Sequence, residues 1–225
     1  MGSEEYKANG SSAFYIEMWD DIHQTKIRPH VEWAAPDEVP LRIGFCGAHG
    51  VGKTKLAKKL SLELDLPLIS HVPRTVKGLG LDLNKNATIN TQIAVWLGQI
   101  TEQVEIYEFV TDRTLVDYLA YAKIMVDESG NEIDEFIVNA LSNLTFSLFN
   151  SQYTIIFYLP PNDEYIKNNG FRSRDKSYQG QVDELIKHYL SCFNVDYFPL
   201  QGSELKRHKL AMEYLEDSGL LDREH

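Results

Sequence analysis

The segment Gly47-Ala48-His49-Gly50-Val51-Gly52-Lys53-Thr54 sets glycines, a lysine and a hydroxyl at the spacing G-x-x-x-x-G-K-[ST]. Such a stretch suits a chain of phosphates. Glycines let successive backbone N–H groups turn inward, and a following helix adds partial positive charge. Lys53 has the length to reach the outer phosphates, and the Thr54 hydroxyl is a hard oxygen ligand of the kind Mg²⁺ takes. The pattern carries weight only between a strand and a helix, and its flanks supply both. Leu41 to Cys46 places apolar residues at alternate positions, and Lys55 to Leu64 repeats Leu and Ala at helical spacing. Gly47, His49, Gly50, Val51, Gly52, Lys53 and Thr54 are therefore the expected nucleotide-binding residues, with Thr54 also a metal ligand.

Further chemistry-bearing residues sit where other strands should end. Asp112 closes the run Tyr107 to Thr111. A carboxylate there can hold Mg²⁺ through water or accept a proton from an attacking hydroxyl. The alternative is a helix cap. Arg113 offers a planar fork to phosphate. Asp117, a helical turn further on, faces the same cleft or serves the first turn of its helix. Arg172 and Arg174 stand in a glycine-hinged basic loop, where they can stabilise charge on a γ-phosphate and exclude water, or simply be solvated. In Ser70-His71-Val72-Pro73-Arg74, Arg74 can hold an acceptor, and His71 is a base, a polar wall or a structural histidine. Trp96 can stack on a base and Gln99 can pair with its edge, helped by Gln92 and Gln103, although Trp96 also suits a core.

The elements that must position these residues alternate. Strands are predicted at 41–46, 66–70, 107–111, 153–159 and 195–200, and helices at 55–64, 87–106, 115–126, 132–150, 178–193 and 204–215. In the 87–106 helix one face carries Ile89, Ile93, Trp96 or Leu97, Ile100 and Val104. Alternation of this kind implies a mostly parallel sheet with helices on both faces and ligands at the carboxyl ends of the strands. Residues 1–40 read as an N-terminal extension, with prolines at 29, 36 and 40 limiting any helix, and residues 41–225 as one domain. The extension is an arm packed on the surface, or a dimerisation or partner arm carrying Trp19 and Trp33 that would make a homodimer.

Composition narrows the partners. The net charge of −11 disfavours unaided binding to DNA or RNA, whose backbone calls for a basic surface. The tightest basic clusters are Lys53 to Lys59, Arg172 to Lys176 and Lys206 to Lys209, and the first two fall where a nucleotide's own phosphates would lie. No apolar run reaches the length of a membrane span, and the first residues lack the apolar core of a signal peptide. Two cysteines, each in an apolar neighbourhood, are expected as buried thiols in a reducing cytoplasm.

Together these pieces resemble the nucleoside and nucleotide kinases of the P-loop superfamily. Asp112-Arg113-x-x-x-Asp117-x-x-Ala120-Tyr121 is similar to the D-R-x-x-x-S-x-x-A-Y element of thymidylate kinases, with Asp117 in the place of Ser. Gly170-Phe171-Arg172-Ser173, followed by Val182-Asp183-Glu184-Leu185-Ile186, resembles the lid and next helix of the nicotinamide riboside kinase-like group. The resemblance covers about residues 41 to 217. It implies a three-layer α/β/α sandwich around a mostly parallel five-stranded sheet, with an arginine-bearing lid. It implies ATP and Mg²⁺, and transfer to a nucleoside, nucleotide or related small acceptor. Lys53, Asp112, Arg113, Arg172 and Arg174 become the expected catalytic residues, Thr54 and Asp112 the metal ligands, and His71, Arg74, Trp96, Gln99 and Asp117 the acceptor-binding set. At the second strand end, related kinases often have Glu-x-x-Arg, and this chain has His71-Val72-Pro73-Arg74. The alternatives are a kinase acting on a modified base or end in DNA, with Lys206, Arg207, His208 and Lys209 contributing to its groove, and a nucleotide-hydrolysing switch.

Overall fold

Strand and helix alternate along the chain as the periodicities predict. The computed structural model describes residues 40–70, 76, 81, 88–161 and 176–221, all within the unit Asp37–His225. The extension at 1–39, the His71–Arg74 stretch and the loop carrying Arg172 and Arg174 lie outside the described residues.

In chain order the elements are β1 (Arg42–Cys46), α1 (Lys53–Glu63), β2 (Leu68–Ile69), α2 (Ile89–Glu105), β3 (Phe109–Thr111) and α3 (Leu115–Ser129). There follow α4 (Glu132–Gln152), β4 (Ile155–Tyr158), α5 (Lys176–Cys192), β5 (Phe198–Pro199) and α6 (Glu204–Asp217). The strands form one five-stranded sheet in the order β2-β3-β1-β4-β5. Every pairing is parallel. β1 sits at the centre, with Gly44 in register with Thr111 of β3 on one side and Ile156 of β4 on the other. The carboxyl ends of these central strands consequently emerge side by side, where a doubly covered parallel sheet binds its ligands.

Burial explains why the central strands read as continuous apolar runs. All of β4 is buried, as are Ile43, Phe45 and Cys46 of β1, because helices cover both sheet faces. Leu56, Ala57 and Leu60 of α1, Leu115, Val116 and Leu119 of α3, and Val182, Ile186 and Leu190 of α5 supply the covering layers. Observed strands are shorter than the predicted ones at the edges, β2 and β5 being two residues each. Edge strands have a ladder on one side only, so little fixes their ends.

The orientation of α2 differs from the sequence pattern. Of its predicted apolar face, Trp96, the alternative to Leu97, is buried and Ile89, Ile93 and Ile100 are half-buried, but Leu97 and Val104 are exposed, whereas Thr91, Gln99, Glu102 and Gln103 are buried. The partners behind that polar face make the difference. Gln99 Nε2 donates to Thr111 Oγ1 at 2.8 Å, Tyr118 donates to Gln99 Oε1 at 3.1 Å, and Gln103 Nε2 donates to the Tyr153 hydroxyl at 3.0 Å. Gln99, with both ends of its amide bonded, costs little to bury, whereas Gln103 Oε1 has no hydrogen-bond partner.

Candidate active site

The loop after β1 takes the shape its glycines allow. Gly47, Gly50 and Gly52 have φ of 140°, 76° and 95°. A Cβ on Gly47 would collide with the Leu159 carbonyl just past β4, so glycine is needed there for space as well as for conformation. Lys53, the first residue of α1, folds back into the loop. Its Nζ donates to the Gly47 carbonyl and, at 2.8 Å, to the Ala48 carbonyl. It also lies 3.6 Å from Asp117 Oδ1.

Asp117 joins the two readings that the sequence left open. It serves the first turn of α3, accepting from the Thr114 backbone N–H at 3.0 Å and the Thr114 hydroxyl at 2.9 Å. It also faces the loop, accepting from the Gly47 N–H at 3.2 Å and pairing with Lys53. Both ionic partners are buried. Burial pulls the Lys53 ammonium below its ordinary value, the Asp117 charge opposing that shift. Burial likewise pushes the Asp117 carboxyl up, against Lys53, Arg113 and its bonds to Thr114.

Asp112 follows β3 directly and is 1% exposed. Thr54 Oγ1 donates to its Oδ2 at 3.0 Å. A hydroxyl and a carboxylate from different strand ends thus meet beside the loop. The pair offers hard oxygen donors only, which fits Mg²⁺ completed by phosphate oxygens and water. Among the described residues, no group of three or more His, Cys, Asp or Glu could hold a metal ion without such help.

Arg113 turns away from its neighbour toward aromatic rings. Its guanidinium carbon lies 4.9 Å from the Tyr121 ring centroid and 5.9 Å from that of Tyr118. Burial works against its charge, but Tyr121, Tyr118, Asp117 and Asp112 outweigh that and raise its pKa. His49 at the loop tip completes the group, 5.8 Å from Tyr178 and 6.4 Å from Tyr121, centroid to centroid. Burial, with Tyr121 and Glu128 adding, pushes the Tyr178 hydroxyl up to about 12.

The structure therefore gathers Gly47, His49, Gly50, Val51, Gly52, Lys53, Thr54, Asp112, Arg113 and Asp117 at one end of the sheet. Trp96 and Gln99 have other employment. Trp96 Nε1 donates to Thr145 Oγ1 at 3.0 Å, and both ends of the Gln99 amide are bonded inside the fold. Stacking on a base or pairing with its edge would require those bonds to break. The Lys206–Lys209 cluster also differs from its reading as part of a basic groove. Arg207 is 1% exposed, His208 Nε2 lies 2.6 Å from Glu63, and Lys209 lies 3.2 Å from Glu213. Cys46 is buried as expected, while Cys192 is partly exposed.

Two residues around the loop, Tyr178 and Gln179, are given no role by sequence reasoning, and Arg207 is considered only as part of a basic groove. Gln179 Nε2 donates to the His49 carbonyl at 2.7 Å, and Arg207 Nη1 donates to the Val51 carbonyl at 2.7 Å. Nothing in their local spacing announces this, because both come from helices remote in sequence.

Comparisons with known proteins bear on the family and the fold. A family model described as an AAA domain, AAA_28, matches residues 42–207. No curated protein matches the chain in sequence. Among solved structures, deoxyadenosine kinase from M. mycoides with bound dCTP is 18% identical over 79% of this chain and 100% of its own, with a TM-score of 0.59. The same enzyme with the products dCMP and a flexible dCDP is 16% identical over 79% and 100%, with a TM-score of 0.58. Shikimate kinase from Acinetobacter baumannii, in complex with shikimate, is 11% identical over 80% and 94%, with a TM-score of 0.50. At such identities the likeness is one of fold, and the fold is the α/β fold of P-loop kinases.

Proposed function

From a chain that belongs to the AAA_28 family of AAA domains, we propose an ATP-dependent kinase that transfers the γ-phosphate to a nucleoside, nucleotide or related small acceptor. The observation that carries this reading is the meeting of Thr54 and Asp112, 3.0 Å apart, beside a loop whose Lys53 is already folded inward. Glycine-lined amides bind a phosphate chain. A hydroxyl and carboxylate pair next to them is what transfer of its last phosphate requires.

Mg²⁺, when bound, would neutralise phosphate charge, with Thr54 and Asp112 holding it. The chain's own residues do the rest. Lys53 exchanges its bonds to the Gly47 and Ala48 carbonyls for phosphate oxygens. Where it does not serve the metal, Asp112 takes the proton of an attacking hydroxyl. Arg113, seated against Tyr121, presents its fork to phosphate. Arg172 and Arg174 close over the nucleotide and match charge on the transferring group, and His71 and Arg74 engage the acceptor. Asp117 acts beneath this layer by holding Lys53 and Gly47. Structural neighbours with nucleotide or shikimate ligands support a small acceptor.

The test is ADP formation from ATP and Mg²⁺ across nucleosides, nucleoside monophosphates, nicotinamide riboside, shikimate-like polyols and modified-base DNA. A single small acceptor yielding matched ADP and phosphorylated product is the expected result. Turnover stimulated by DNA alone, or slow hydrolysis indifferent to every acceptor, would overturn it.

A further inference from the structure

The glycines that let the phosphate loop adopt its shape also let it adopt others. Gly50 and Gly52, at φ of 76° and 95°, have no Cβ to restrict them, so something else must hold the peptide planes beside them. We propose that Gln179 and Arg207 are positioning residues that aim the cradle's amides, each by holding a loop carbonyl from outside.

The geometry of the peptide group carries the argument. In a planar trans peptide, the carbonyl of one residue and the N–H of the next point in opposite directions. No described peptide is cis. Gln179, in the first turn of α5, holds the His49 carbonyl at 2.7 Å, which turns the Gly50 N–H away from α5. Arg207, on α6, holds the Val51 carbonyl at 2.7 Å, which turns the Gly52 N–H away from α6. The two clamped carbonyls alternate with the two amides, and the clamps come from two different helices. A second Arg207 bond, from Nη2 to the Pro160 carbonyl at 3.4 Å, ties the same guanidinium to the chain just past β4. Both side chains are buried, at 7% and 1% exposed, so water competes poorly for these bonds.

The start of the loop has its own hold, the Gly47 N–H to Asp117 at 3.2 Å. That bond consumes an amide, whereas the clamps on His49 and Val51 consume carbonyls and leave the amides for a ligand. The inference rests on the reading of this loop as a phosphate site and deepens it: affinity for phosphate depends on two residues that never touch it.

The test uses the full chain with ATP or GTP and Mg²⁺, the variants Gln179→Met, Arg207→Lys and Arg207→Met, and ¹⁵N-glycine amide spectra. Each loss of a clamp is expected to weaken ATP binding about tenfold, the scale of one buried hydrogen bond to an oriented group. Arg207→Lys, which keeps a charge and a donor, should lose less than Arg207→Met. In the spectra, the Gly50 amide should move most in Gln179→Met and the Gly52 amide most in the Arg207 variants. A merely structural role would lower melting temperature without sorting the two glycines in this way. If Arg207→Met fails to fold, Gln179→Met and Arg207→Lys still decide the matter. Folded variants with wild-type affinity and unmoved glycine amides would overturn the clamps alone. A wild-type chain that binds neither nucleotide would overturn the nucleotide reading itself, and the clamps' purpose with it.

Discussion

The end of β3 divides two buried polar clusters that are built differently. Thr111 belongs to the first, where neutral side chain to side chain bonds of 2.8 to 3.1 Å join Gln99 with Thr111 and Tyr118, Trp96 with Thr145, and Gln103 with Tyr153. Asp112 belongs to the second, with Thr54, Lys53 and Asp117. The first cluster is built of neutral groups and holds no formal charge, with both ends of the Gln99 amide bonded and the Gln103 Nε2 bonded while its Oε1 has no hydrogen-bond partner. In the second, Lys53 rests on backbone carbonyls, and burial disfavours the charged form of both Lys53 and Asp117. Sequence alone makes the two look alike, as polar residues set among apolar ones. The comparison teaches that burial of polar groups marks a binding site only where their present partners can be exchanged for a ligand. Carbonyls under a lysine can be exchanged for phosphate oxygens. A glutamine fixed at both ends gains nothing by letting go.

The comparison can be broken at several points. Lys53→Ala should reduce phosphoryl transfer below detection. It should also lower stability by about 3 kcal/mol, since it strands a buried carboxylate on Asp117. Adding Asp117→Asn should recover only part of that stability, because its NH2 would face the N–H of Gly47 or of Thr114, and none of the activity. Chemical unfolding beside a coupled ADP assay reads both, and an active Lys53→Ala protein would end the assignment of the loop. Asp112→Asn keeps the shape and removes the charge. Turnover should fall about 100- to 10,000-fold, whether the carboxylate serves the metal or the proton. A turnover within a factor of two or three of the original would leave Asp112 without a role in transfer.

The neutral cluster should answer in a different observable. Trp96→Phe removes the Nε1 donor to Thr145 and should cost about 1 kcal/mol of stability, seen as a lowered melting temperature, with acceptor KM unchanged. A raised acceptor KM with an unchanged melting temperature would move Trp96 into the acceptor site and blur the division.

Much of the site was legible because it is written in short range. The spacing from Gly47 to Thr54 lies within one strand–loop–helix turn. Asp112 and Arg113 follow an apolar run whose end is visible. Asp117 is spaced to serve Thr114, and the structure adds only that the same carboxylate reaches Gly47 and Lys53. The face of α2 was not legible in the same way. Its periodicity is real, but Leu97 and Val104 on that stripe point outward because Thr111, Tyr118 and Tyr153 supply bonds to Gln99 and Gln103 on the other side. Those partners lie on β3, on α3 and beside β4, beyond the reach of a helical repeat.

The sequence by itself determined the alternation of strand and helix, the parallel sheet, the glycine loop of residues 47–54 and the acids after the neighbouring strand, because turn, strand and cap preferences act over a few residues. The tertiary structure alone decided which polar residues are spent inside the fold. It also decided that Arg207 of the Lys206–Lys209 cluster is buried against the loop, and that α5 and α6 hold the carbonyls of His49 and Val51. Those outcomes depend on which distant segments the sheet order β2-β3-β1-β4-β5 brings together. A hydrogen bond has to be completed by whatever group arrives at about 3 Å, and local spacing does not specify that group.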